Sequence, residues 1–108
     1  MSKIGLDRKS LAPTLIAFFV NGEMSIGEGE GDSQVRALKR RGLIRNTEWR
    51  KSGSGYSFQY AEITDEGREI AASLAKLILD DIEAAKAWGL KPWAGKRSRV
   101  RLETALSA

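Results

Sequence analysis

The sequence predicts a small α+β domain, and three observations lead to it. Apolar residues recur at helical spacing from Leu11 to Phe19 and again from Ile70 to Trp88. Between them, SQVRALKRRGLIRNTEWRKSGSGYSFQYAEIT (Ser33 to Thr64) reads as a short basic helix, a strand, a glycine-serine turn and a second strand. A chain of 108 residues is also large enough for one hydrophobic core without cross-links. The expected order is helix, loop, helix, β-hairpin and long C-terminal helix over residues 1–90, then a basic tail over residues 91–108.

There is no cysteine and no histidine. Disulfides and thiolate metal sites are therefore excluded, and the commonest metal ligand and neutral-pH base are both missing. The expectation is a protein that is not an enzyme and has no cofactor. Net charge is +4, but its distribution says more than its sum. Residues 1–64 carry ten basic and seven acidic groups, 65–90 three and six, and 91–108 five and one. Two basic ends flank an acidic middle.

The N-terminus, MSKIGLDRKS, lacks the apolar core of a signal peptide, and Leu15 to Val20 is too short a run to cross a bilayer. A soluble, cytoplasmic protein is expected. Ser10 is placed to cap a helix in which Leu11, Leu15, Phe18 and Phe19 line one face. Pro13 falls in its first turn and Asn21-Gly22 ends it. In EMSIGEGEGDS, glycines at 27, 29 and 31 each cost a helix about 1 kcal/mol, so a connector is expected, with Met24 and Ile26 as a short strand or apolar anchor. The alternation Glu28, Glu30, Asp32 is not a calcium loop, because Ser33 and Lys39 stand where the glycine and the last glutamate belong. The same acidic loop, with no Gly-Lys-Ser/Thr after it, is not a phosphate cradle.

The basic helix should start with Asp32 or Ser33 as cap and end at Gly42, with Val35 and Leu38 inward and Leu43 and Ile44 returning to the core. Its outward face is then Ser33, Arg36, Ala37 and Arg40, flanked by Gln34 and Arg41. Small residues at a helix start permit close approach to a major groove, and Arg and Gln bond base edges there. A solvated face is the competing reading. In the hairpin, Gly53 and Gly55 are the candidates for positive φ, with Arg50 and Lys51 at the base.

ALKRRGLI, a variable hairpin and then ITDEGREIA resemble the winged helix-turn-helix regulators of the MarR and PadR kind. The resemblance covers Ser33 to about Leu79. It implies that the helix before RGLI is a recognition helix, that the hairpin is the wing, and that TDEGRE opens the next helix. The chain departs from that pattern in the glycine-rich loop, which leaves the helix before the recognition helix missing or reduced to a turn.

Tyr56, Phe58 and Tyr60 share one face of the second strand, and Gln59, Ala61 and Ile63 the other. With Ile63 inward, the aromatic row, with Trp49 of the first strand a candidate member, faces away from the core; the expectation is that a bulge or a covering helix buries it, and the alternative is a surface for a partner protein or for unstacked bases. Thr64 should cap a helix from Asp65 whose stripe of Ile70, Leu74, Leu77, Ile78, Ile82, Ala85 and Trp88 reaches Gly89. If continuous, it is about 36 Å long and its surplus meets another chain, as the resemblance implies for a homodimer. A break near Asp80-Asp81 would instead fold its second half back. The tail bears Lys96, Arg97, Arg99 and Arg101 and is expected as a solvated or phosphate-binding arm, with Trp93 able to pack or stack.

Taken together, these features predict a regulator of the transcriptional or phage type that binds double-stranded DNA. The candidate contacts are Ser33, Gln34, Arg36, Arg40, Arg41, Arg50, Lys51, Lys96, Arg97, Arg99 and Arg101. The alternative is a protein-interaction module, an inhibitor or adaptor, that uses the aromatic strand face.

Overall fold

In the computed structural model, which describes residues 5–29 and 31–108, a 3-10 turn at Lys9–Leu11 leads into helix α1 (Ala12–Asn21). Strand β1 (Glu23–Gly27), helix α2 (Ser33–Arg40), strands β2 (Ile44–Lys51) and β3 (Ser57–Ile63) and helix α3 (Asp65–Asp80) follow. Helix α4 (Ile82–Ala87), a 3-10 turn at Lys91–Trp93 and helix α5 (Lys96–Ser107) complete the order. The first four residues of MSKIGLDRKS lie outside the described residues, as does Glu30 with its part in the acidic alternation. The domain is α+β, with an antiparallel sheet in the order β1-β3-β2.

Gly22, at φ 79°, stops α1, and its N–H returns to the Phe18 carbonyl at 2.6 Å. Pro13 sits in the first turn, as the sequence predicts, but Ser10 does not cap the helix. It belongs to the preceding 3-10 turn, and Leu11 holds the cap position without a side-chain bond. Helix α2 starts where its chemistry says it should, with the Asp32 carboxylate accepting from the Val35 N–H at 2.9 Å. It ends on Gly42 at φ 73°, where the N–H groups of Gly42 and Leu43 donate to the carbonyls of Lys39 and Leu38. That pairing satisfies otherwise orphaned helix-end acceptors and requires the left-handed conformation glycine adopts freely.

The start of α3 is locked onto this corner. Thr64 donates its N–H to the Leu43 carbonyl at 3.0 Å and its hydroxyl to the Gly42 carbonyl at 2.6 Å, while Oγ1 accepts from the Gly67 N–H at 3.1 Å. Gly67 is buried against Leu43 so closely that a Cβ there would overlap the Leu43 carbonyl oxygen and lie 2.7 Å from Ile63 Cγ1. The approach fixes α3 against the junction of α2 and β2. Around it, Leu11, Leu15, Phe18, Leu38, Ile44, Leu74, Leu90 and Leu102 are fully buried.

The long C-terminal helix is interrupted at Asp81, which has φ −145° and caps α4 by accepting from the Ala84 N–H at 3.2 Å. Two carboxylates at the negative end of α3 disfavour its continuation, whereas an Asp and the following Glu83 suit a new start. The second half therefore folds back. Of the stripe, Leu74, Ile78, Ala85 and Trp88 are buried within the chain, Ile70 and Leu77 are partly buried against the same core and Ile82 is exposed, so no second copy is needed to cover most of it.

The tail is likewise not a solvated arm. It forms α5, which packs on α1 and α3 through Leu102, 0% exposed, a burial that contributes about 1.5–3 kcal/mol. The positive charge that marks the segment as an arm lies on the outer face of this helix. Among the described residues no helix is long and apolar enough to cross a membrane.

This packing has two measurable consequences. Gly-to-Ala changes inside helices normally stabilise by about 1 kcal/mol, but Gly67→Ala should destabilise by about 1–3 kcal/mol because the new methyl overpacks backbone. Urea melts would read the sign. The Asp7 carboxyl, held below its ordinary value of 3.8 by its hydrogen bond to the Arg41 guanidinium, gives a small stabilisation that is present above that value and lost as pH falls through the lowered one. The difference in Tm between the natural chain and Asp7→Asn should thus be seen at neutral pH and vanish in strong acid.

Candidate nucleic-acid interface

Helix α2 contacts β2, α1 and the 3-10 turn before α1, and its buried side shares one core with Ile44, Ala61 and Ile63. It begins near Ile26 of β1, to which Gly31 is close, and ends at the Thr64 corner. Val35 and Leu38 are buried, as their spacing predicts. Ala37 is buried too, which corrects its placement on the outward face: α2 also meets the 3-10 turn before α1. The exposed strip is therefore narrower, with Ser33, Arg36 and Arg40 on it and Gln34 and Lys39 half-buried at its edges. The Ser33 hydroxyl donates to the Gln34 side-chain oxygen at 2.7 Å, and Arg36 donates to the Gly31 carbonyl at 3.0 Å. Arg41 is turned away from the strip. It forms two bonds to Asp7 at 2.8 and 3.1 Å and a third to the Ala37 carbonyl.

The hairpin departs from a flat ribbon at a bulge. Asn46 pairs with Ala61 and Trp49 with Gln59, leaving Thr47 and Glu48 opposite Tyr60. The Gln59 side chain, 6% exposed, holds the bulge by donating to the carbonyls of Glu48 at 3.2 Å and Tyr60 at 2.8 Å. Beyond it the strands continue in phase, Arg50 opposite Phe58 and Lys51 opposite Ser57, to a turn in which Gly55 has positive φ and Gly53 does not. The Ser52 N–H to Tyr56 carbonyl bond closes that turn at 2.7 Å.

The bulge lies in β2, so it does not change the phase of β3, and the aromatic row keeps the outer face. Phe58 and Tyr60 are half-buried. Arg50 lies 4.1 Å over the Tyr60 ring and bonds Glu48 at 2.7 Å and Glu23 at 2.6 Å, so its charge is matched inside the chain and its guanidinium is held protonated more firmly than usual by those carboxylates. Arg45 is paired with Glu62 in the same way. Lys51 is exposed and, among the described residues, makes no ion pair.

The tail cations do not join this group. Arg99 donates to the Leu79 carbonyl at 2.9 Å, capping the end of α3 remote from Thr64, about 24 Å away along a helix of this length. Arg101 bonds Asn21 at 3.2 Å and lies 5.6 Å from the Trp93 ring, beside a cleft of about 380 Å³ at the end of α1. Lys96 and Arg97 are exposed on the first turn of the same helix. The structure thus collects Ser33, Gln34, Arg36 and Arg40 on one strip, adds Lys51 on the hairpin, and withdraws Arg41 and Arg50 into ion pairs. Gln59 was not singled out by sequence, although a lone polar residue among inward positions is a signal of a backbone irregularity to be satisfied.

No family model, curated protein or solved structure matches the chain. Replacing Gln59 by Leu removes the donor to two strand carbonyls and should cost about 1–3 kcal/mol, read by thermal melting.

Proposed function

We propose that the chain is a winged-helix protein that binds double-stranded DNA as a regulator, with α2 as the recognition helix and the β2–β3 hairpin as the wing. The order α1, β1, α2, β2, β3, α3 with β3 between β1 and β2 suits that fold once the helix before α2 is replaced by the glycine-rich connector. The observation that carries the reading is a subtraction. When the basic candidates of α2 and the hairpin that are matched inside the chain, Arg41 and Arg50, are set aside, Arg36, Arg40 and Lys51 remain, exposed and, among the described residues, in no ion pair. Arg36 and Arg40 would reach base edges or phosphates from one helix strip, and Lys51 a phosphate from the wing. The covering of Tyr60 by Arg50 removes the middle of the aromatic face that a protein-interaction module would use.

The double variant Arg36→Ala/Arg40→Ala should keep the melting temperature, because both side chains are exposed, and weaken duplex binding by about 1–3 kcal/mol for each arginine that bonds a base. Lys51→Ala should lower the slope of log K against log salt by about 0.9, the value for one phosphate contact. Arg50→Ala should change affinity far less than Arg40→Ala. Fluorescence anisotropy with labelled duplex measures all three, and undiminished affinity in the folded double variant overturns the reading.

A further inference from the structure

We infer that the tip of the β2–β3 hairpin is a stacking site for unpaired nucleobases, so that the preferred nucleic acid is a duplex that opens into unpaired arms. The inference rests on the nucleic-acid reading above and adds the form of DNA. Trp49 is 54% exposed and Tyr56 61% exposed. Cations pack on the rings of Trp88, Tyr60 and Trp93, but among the described residues none packs on these two.

Their placement is specific. Trp49 pairs with Gln59 and shares its face of the ribbon, the face on which Ala61 and Ile63 turn to the core. Tyr56 closes the turn opposite Ser52, one residue before β3, and strand alternation continued from Phe58 and Tyr60 assigns it to the other face. A projecting ribbon therefore carries one exposed ring on each side. A flat protein partner needs its apolar contacts gathered on one surface of several hundred Å². Rings on opposite faces cannot form one such patch, but each is large enough to stack a single base.

The rest of the tip suits the same occupant. From Trp49 to Ala61 there is no acidic residue, and Lys51 is exposed and, among the described residues, in no ion pair. The leading edge is Ser52, Gly53, Ser54 and Gly55, and a side chain at Gly53 or Gly55 would meet nothing within 4 Å. A thin edge with a ring behind it on either side has the shape to enter between two separating strands. The bulge held by Gln59 sets this geometry, since without the extra residue Trp49 would lie on the opposite face.

The test uses the full chain and three labelled DNAs sharing a duplex of about 20 base pairs: blunt ends, unpaired arms of about six nucleotides, and abasic arms that keep the phosphates and lack the bases. Base-bearing arms should bind about tenfold tighter than abasic arms, within the range for stacking of one or two bases. Trp49→Ala and Tyr56→Ala should each remove most of that preference and leave blunt-duplex affinity unchanged, while Trp49→Phe and Tyr56→Phe retain it. Equal affinity for base-bearing and abasic arms, or a preference that survives both alanine variants, overturns the inference while blunt-duplex binding continues to support the DNA reading. Failure to bind any of the three at low salt overturns both, and directs attention to a protein partner at the tip.

Discussion

The approach of Gly67 to the carbonyl of Leu43, with Thr64 bonded to the same corner, is the interaction on which the rest of this structure depends. Four element ends meet there: the close of α2, the start of β2, the end of β3 and the first turn of α3. The carbonyls of Gly42 and Leu43 and the N–H groups of Thr64 and Gly67 all find partners there, and among the described residues no buried side-chain polar atom lacks one. Because α2 is only eight residues long, its direction is set mainly by its ends. The corner fixes one, and the Asp32 cap with Gly31 against Val35 fixes the other.

Much of this was legible in the sequence because it is local. Gly22 and Gly42 as stops, Thr64 and Asp32 as caps, Leu43 and Ile44 as inward residues and the strand β1 all follow from signals within a few positions of one another. What was not legible depends on distance. Arg41 read as an outward cation because its partner Asp7 lies 34 residues away, and Arg50 because Glu23, which joins the nearby Glu48 on its guanidinium, lies 27 residues away. Ala37 read as surface because a helical projection assumes one buried side, whereas α2 has neighbours on two.

The C-terminal third shows a different limit. Apolar periodicity continued across Asp80-Asp81 because α4 resumes with its own buried residues, and the capping of Ala84 by Asp81 decides for the break that the two carboxylates had marked as the alternative. In the tail, charge density outweighed a single leucine, yet Leu102 enters the core and its four basic neighbours lie outside. For the candidate site, counting cations overstates the positive charge on offer. Fields from Arg50, Arg45 and Arg41 are largely cancelled by adjacent carboxylates, and the attraction left for a polyanion comes from fewer groups, closer together.

Strand β2 is one of the two edge strands of the sheet, and every one of its residues after Ile44 is exposed. A straight strand of that kind offers an open row of backbone donors and acceptors to any other extended chain. The kink at Thr47-Glu48 interrupts the row, and Arg45, Arg50 and Lys51 place charge along what remains. The irregularity gripped by Gln59 thus also guards the sheet edge. A chain without that grip would present a continuous template for β-pairing, and its characteristic failure would be self-association at high concentration, while the folded core remained intact.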